Sequence, residues 1–132
     1  MTSKHKLYEN IQLPLIEKYR PDSIDDIMMD SFIKIKFDKI INQKIIPNLI
    51  ITGPPGTGKT STILCLANKL FKNNINESVL ELNASDDRGL SIINNTIIPF
   101  CKKKINNNLY KIIILDEADS ITQKAQNLLN NV

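Results

Sequence analysis

The chain has 132 residues and a formal charge of +3 at pH 7, enough for one modest domain with a buried core but too mildly basic to argue for nucleic-acid binding by charge alone. Its two cysteines, Cys65 and Cys101, stand far apart among apolar neighbours, which points to reduced, partly buried thiols and excludes a disulfide or metal framework. The first residues lack the apolar centre of a signal peptide and no apolar run is long enough to span a bilayer, so an intracellular protein with no membrane partner is expected.

Residues 1–8 are expected to be a disordered tail, in which His5 has no assigned role, and residues 9–132 a single α/β unit. Pro21 restricts Arg20 to extended geometry. Ser23 to Asp30 reads as a short helix capped by Ser23 or Asp22. Ser31 to Asn42 reads as a second helix, with Phe32, Ile35, Ile40 and Ile41 turned inward. Pro47 breaks the chain, and the apolar run Asn48-Leu49-Ile50-Ile51-Thr52 reads as a strand. A helix follows to about Phe71, ending in the turn Lys72-Asn73-Asn74, and Val79 to Asn83 reads as a second strand. Leu90 to Cys101 has a helical pattern but contains Pro99, which costs about 3 kcal/mol in a regular helix, so a kink or early end is expected. Lys102-Lys103-Lys104 and Asn106-Asn107-Asn108 read as solvated loop. Tyr110 to Leu115 is unbroken and apolar, as in a parallel strand buried on both faces. Ser120 or Thr122 caps a last helix expected to run on to Val132. This alternation of strands and helices predicts a parallel α/β sheet.

Between the first strand and its helix stands Gly53-Pro54-Pro55-Gly56-Thr57-Gly58-Lys59-Thr60, a full match to the phosphate-binding pattern G-x-x-x-x-G-K-S/T in the context it requires. Glycines let successive N–H groups point at phosphate oxygens, and the helix N-terminus, starting near Ser61, adds partial positive charge. Lys59 can reach the β- and γ-phosphates, and the Thr60 hydroxyl can ligate Mg²⁺. An ordinary strand-to-helix turn does not need Lys-Thr there.

The third strand runs directly into Asp116-Glu117-Ala118-Asp119. An acid at the end of a buried strand beside a P-loop can hold Mg²⁺ through water, a role assigned to Asp116. Glu117 can orient and deprotonate an attacking water, worth about 10²–10⁴ in rate, which points to nucleotide hydrolysis. Asp119 fits a helix cap or structural acceptor better than a ligand.

Two further segments narrow the class. Glu17-Lys18-Tyr19-Arg20-Pro21 before the loop, and Glu81-Leu82-Asn83-Ala84-Ser85-Asp86-Asp87-Arg88-Gly89 on the second strand, together with the two motifs above, resemble the small subunits of replication factor C. These are AAA+ clamp-loader ATPases that open a ring-shaped sliding clamp and place it on primed DNA. The four motifs cover almost the whole chain in the right order. The resemblance implies ATP and Mg²⁺ as cofactors, and companion subunits, the sliding clamp and primed double-stranded DNA as partners. It also implies a nuclear or viral replication compartment.

The resemblance further implies that Ile16 and Met28 give apolar contacts to adenine, with Tyr19, Arg20 and Pro21 framing the pocket. Arg88 would begin a helix facing DNA, although a salt bridge to Asp86 or Asp87 fits it equally well. Asn94, Asn130 and Asn131 stand where the family commonly has arginines, so DNA binding through this chain is expected to be weak. The chain ends before the family's sensor strand, arginine finger, helical lid and collar. Because the sensor strand would separate the P-loop strand from the Asp116 strand, the lone chain is expected to be marginally stable unless those two pair or a partner intervenes. A non-catalytic nucleotide-binding remnant is the alternative, with a superfamily 1 helicase fragment behind it.

Overall fold

The computed structural model describes residues 23–85, 89–105 and 110–132. The expectations for the tail 1–8 and for Pro21, Asp22 and Asn106 to Asn108 lie outside them. Ser23 caps a single 3-10 turn, Ile24–Asp26, its hydroxyl accepting from the Asp25 N–H, so the short helix expected here is three residues long. Asp30, expected inside that helix, instead opens the next one: its carboxylate accepts from the Phe32 N–H at 2.8 Å.

That next helix, α1, spans Ser31–Gln43 and stops at Lys44 in left-handed conformation. Its inward face is not the one expected. Phe37 is buried and Ile40 and Ile41 are half-buried, whereas Phe32 and Ile35 are 62% and 65% exposed. At about 100° per residue, Phe37, Ile40 and Ile41 share one side of the helix and Phe32 and Ile35 fall on the other. No single face could bury all of the expected set.

Helix α2, Lys59–Phe71, buries Thr62, Cys65, Leu66, Ala67 and Phe71 at helical spacing. Leu66 is fully buried beside Ile24, Phe37 and Cys65 where α1 meets α2. Truncating such a leucine typically costs about 2–5 kcal/mol, so packing rather than helix propensity holds α2 in place. Cys65 is buried, as expected; Cys101 is exposed, and the two do not form a disulfide. A 3-10 turn, Lys72–Asn74, and one helical turn, α3 (Ile75–Ser78), lead into strand β1, Val79–Asn83.

Residues 90–102 form one helix, α4, in three stretches: Leu90–Ile92, a π-helical turn Ile93–Ile97, and Ile98–Lys102. The kink or stop expected at Pro99 is replaced by this wider turn, which absorbs the hydrogen bond that a proline cannot donate. Strand β2, Ile112–Asp116, pairs in parallel with β1, in register from Val79 with Ile112 to Asn83 with Asp116. After a 3-10 turn, Ala118–Ser120, Thr122 rather than Ser120 caps α5, Gln123–Leu129, which closes short of the Val132 end expected for it.

Strand β2 is covered on both faces. Ile112 and Ile114 pack on Ala67 and Phe71 of α2, while Ile113 and Leu115 pack with Ile93, Ile97 and Ala125 of α4 and α5. The result is a layered α/β arrangement with a parallel sheet. One expected strand is absent among the described residues: the sheet holds β1 and β2 alone. Asn48 to Thr52 joins no ladder, and Leu49, Ile50 and Ile51 are 41%, 92% and 38% exposed. An extended segment becomes a strand only with a ladder partner about 4.8 Å away, and among the described residues Asn48 to Thr52 has none.

Candidate functional site

The loop between Thr52 and α2 reverses through Gly56 (φ 76°) and Gly58 (φ 82°), left-handed conformations that side-chain-bearing residues adopt at a cost. Gly58 starts α2 with no side-chain cap, which leaves the first-turn N–H groups, including the half-buried Ser61 region, to other partners. A Cβ at Gly56 would meet no heavy atom within 4 Å, so the loop crest formed with Pro54, Pro55 and Thr57 faces open space.

Lys59 turns back across the loop and donates from Nζ to the carbonyls of Gly53 and Pro54, each at 2.8 Å. Thr57 Oγ1 donates to the same Pro54 carbonyl at 2.8 Å. Thr62 Oγ1 donates to the Gly58 carbonyl at 2.7 Å, bracing the loop from inside α2. The next residue in the motif makes the longest-range link: Thr60 Oγ1 donates to Asp116 Oδ2 at 2.8 Å, across 56 positions of sequence.

Asp116 is held by three hydrogen bonds. Its main-chain oxygen accepts from the Ala84 N–H at 2.9 Å, Oδ2 accepts from Thr60, and Oδ1 accepts from the Glu117 N–H at 3.0 Å. Parallel pairing of β1 and β2 brings the Ala84 N–H to the end of β2, and burial of Ile112 and Ile114 fixes which way the strand faces. Glu117, left-handed at φ 51°, turns the chain out of the sheet and is exposed. Asp119 lies on the following 3-10 turn, exposed.

Behind the loop, the Ile24–Asp26 turn is tied to both neighbouring helices: Asp25 meets Lys34 at 3.3 Å and Lys69 at 3.6 Å. Its hydrogen-bonded Lys34 partner, followed by the charge of Lys69, holds the Asp25 carboxyl below the usual carboxylate range. Ile27 stands just after that turn, its Cγ2 3.9 Å from where a Gly58 Cβ would sit. Sequence reasoning did not single out Ile27; a three-residue turn is too short to show a period.

Of the residues singled out from sequence, the fold brings Gly53 to Ser61 together with Asp116 and Glu117. Met28 is 98% exposed. Ile16, Tyr19, Arg20 and Arg88 lie outside the described residues. Among the described residues no cluster of three His, Cys, Asp or Glu side chains forms. One carboxylate beside one hydroxyl is the kind of donor set that Mg²⁺ uses when substrate phosphates and water complete its shell.

A glycine loop with its lysine at a helix start, joined through Thr60 to an acid at the tip of a parallel sheet strand, is the arrangement of a P-loop nucleotide-binding fold. The chain belongs to the ATPase family associated with various cellular activities (AAA), whose profile matches residues 49–132. It is 48% identical over 122 residues to replication factor C subunit 5 of Homo sapiens, covering 91% of this chain and 36% of that protein. It is 46% identical over 120 residues to a putative replication factor C small subunit of Acanthamoeba polyphaga mimivirus, covering 91% of this chain and 38% of that one. Replication factor C subunit 3 of Saccharomyces cerevisiae is 45% identical over 121 residues, with 91% and 36% covered. The chain thus spans little more than a third of the length of these relatives. These matches favour the clamp-loader resemblance over the helicase one.

Proposed function

We propose that this chain is the ATP-binding part of a clamp-loader-type ATPase subunit that works inside the cell with companion subunits, a sliding clamp and primed double-stranded DNA. The observation that carries the reading is the 2.8 Å contact between Thr60 and Asp116, which joins the glycine loop's helix to the acid at the tip of β2 across 56 positions of sequence. The exposure of the loop around Gly56 supports this reading.

In this reading the main-chain N–H groups of Gly53 to Ser61 cradle the phosphates, and Lys59 exchanges its two carbonyl partners for β- and γ-phosphate oxygens. Thr60 and Asp116 would hold Mg²⁺, which would supply positive charge beside those phosphates. Glu117, exposed at the tip of β2, accepts a proton from the attacking water. Met28, exposed beside the turn that backs the loop, meets adenine together with Ile16, Tyr19 and Arg20, and Arg88 faces DNA. Residues 9–132 act as part of an AAA+ unit, preceded by a short tail at 1–8.

Lys59→Ala removes a charged hydrogen-bond donor worth about 1.5–3 kcal/mol, so it should weaken magnesium-dependent ATP binding by roughly tenfold or more. Equal affinity in the two proteins, measured with a fluorescent ATP analogue, would overturn the proposal. A non-catalytic nucleotide-binding fragment is the second reading, favoured by the exposure of Leu49, Ile50 and Ile51 directly before the loop. Steady-state ATP turnover separates the two: stimulation by companion subunits and clamp supports the ATPase, and background rates with and without them support the fragment.

A further inference from the structure

Among the described residues two polar side chains are buried, Ser78 and Thr62, and Thr62 is the one with a hydrogen-bond partner: its Oγ1 donates to the Gly58 carbonyl at 2.7 Å. The same carbonyl accepts from the Thr62 N–H at 2.9 Å, so residue 62 fills both lone pairs of one oxygen. Threonines in helices often bond back to the carbonyl four residues earlier; here that carbonyl belongs to the glycine loop. We infer that the Thr62 hydroxyl is a positioning group for the phosphate cradle, acting through the peptide that joins Gly58 to Lys59; the inference rests on the nucleotide-site reading above.

A trans peptide is planar and rigid, so its carbonyl and its N–H point in opposite directions and cannot be turned separately. The Gly58 carbonyl points along α2 to Thr62, and the Lys59 N–H therefore points back into the glycine loop, among the donors assigned to phosphate. This plane turns about the ψ of Gly58, 21° here, and glycine has no side chain to restrict it. No side-chain cap steadies the start of α2 either. Ile27 Cγ2, 3.9 Å from where a Gly58 Cβ would sit, bounds that space but offers no hydrogen bond. What the Gly58 carbonyl bonds thus sets where the Lys59 N–H aims, and one main-chain donor tolerates tilts that a second donor resists. Thr62 is 8% exposed, so its part is to hold the peptide rather than to meet the ligand.

Shape and hydrogen bonding can be separated at this position. Thr62→Val keeps the branched shape and loses the hydroxyl, whereas Thr62→Ser keeps the hydroxyl and loses a buried methyl. If Thr62 serves packing alone, Thr62→Val is the milder change; if its hydroxyl aims the peptide, Thr62→Ser is. The readout is affinity for a fluorescent ATP analogue in the presence of Mg²⁺, measured on the full chain beside urea unfolding of each variant. Thr62→Val leaves the Gly58 carbonyl its main-chain donor, so no buried group loses its last partner and its urea midpoint should not fall below that of Thr62→Ser. Thr62→Ser should bind within about twofold of the unaltered chain, and Thr62→Val about threefold or more weaker. Equal affinities, or tighter binding by Thr62→Val than by Thr62→Ser, overturn the inference. So does a Thr62→Val that binds more weakly and is also the less stable of the two, because affinity then follows packing. If Thr62→Val proves unfolded by circular dichroism, Thr62→Ala takes its place in the affinity comparison with the same outcomes. An unaltered chain that does not bind the analogue would sink the site reading itself, whereas binding indifferent to the hydroxyl overturns the positioning role alone.

Discussion

Asp25 lies on the Ile24–Asp26 turn within reach of Lys34 and Lys69, and these ammonium groups keep its carboxyl below the ordinary value. A carboxylate whose pKa is lower folded than unfolded adds stability above the unfolded value, near pH 4, and that stability is lost as pH falls through the lowered folded value. Asp25 is exposed, so solvent screening keeps the effect small. Asp25→Asn should therefore be slightly less stable than the unaltered chain at pH 7 and indistinguishable from it well below pH 3. Urea unfolding at the two pH values checks this, and an equal deficit at both would contradict it. At this scale much of the site is legible in the chain, because Lys59, Thr60, Asp116 and Glu117 are chemical types in a motif that depends on local order. The partners are not: that Lys59 rests on Gly53 and Pro54, or that Ile27 backs Gly58, depends on distances no spacing encodes.

Elements with strong local signals formed where their residues predict. Val79 to Asn83 is a strand at the expected bounds, and α2 ends at Phe71 before the polar turn. Helix α5 shows a start signal whose energy can be measured. Thr122 Oγ1 accepts from the Ala125 N–H at 3.3 Å, and Ala125 beneath it is fully buried against α4. Thr122→Ala should lower stability by about 1 kcal/mol, read as a shift in the urea midpoint with an unchanged slope. An unaltered midpoint would show that packing at Ala125 sets the start of the helix without the cap. Helix α4 marks the limit of local reasoning: Pro99 argues for a break, yet buried Ile93 and Ile97 keep the helix going and a π turn takes up the mismatch. For α1 the error was one of face, since an apolar residue type says nothing of which side the rest of the domain will cover.

For the whole molecule, the exposed run Leu49-Ile50-Ile51 is the largest departure from expectation. Apolar backbone without a ladder partner favours association with other chains. Ile50, 92% exposed and outside both strands, can be changed with little effect on the packed core. Ile50→Lys should raise the monomer fraction in sedimentation velocity at high protein concentration, and equal self-association in the two proteins would count against this surface being adhesive. The sequence by itself determined the class of fold, the phosphate loop and the acid at the strand tip, because strand burial, loop glycines and charge are properties of short stretches. Tertiary structure alone decided that β2 pairs with β1 while Asn48 to Thr52 stays out of the sheet, and that Thr60 meets Asp116. Pairing and side-chain contact join residues far apart in the chain, and their outcome depends on which surfaces compete for burial, a comparison that exists only once the elements are packed.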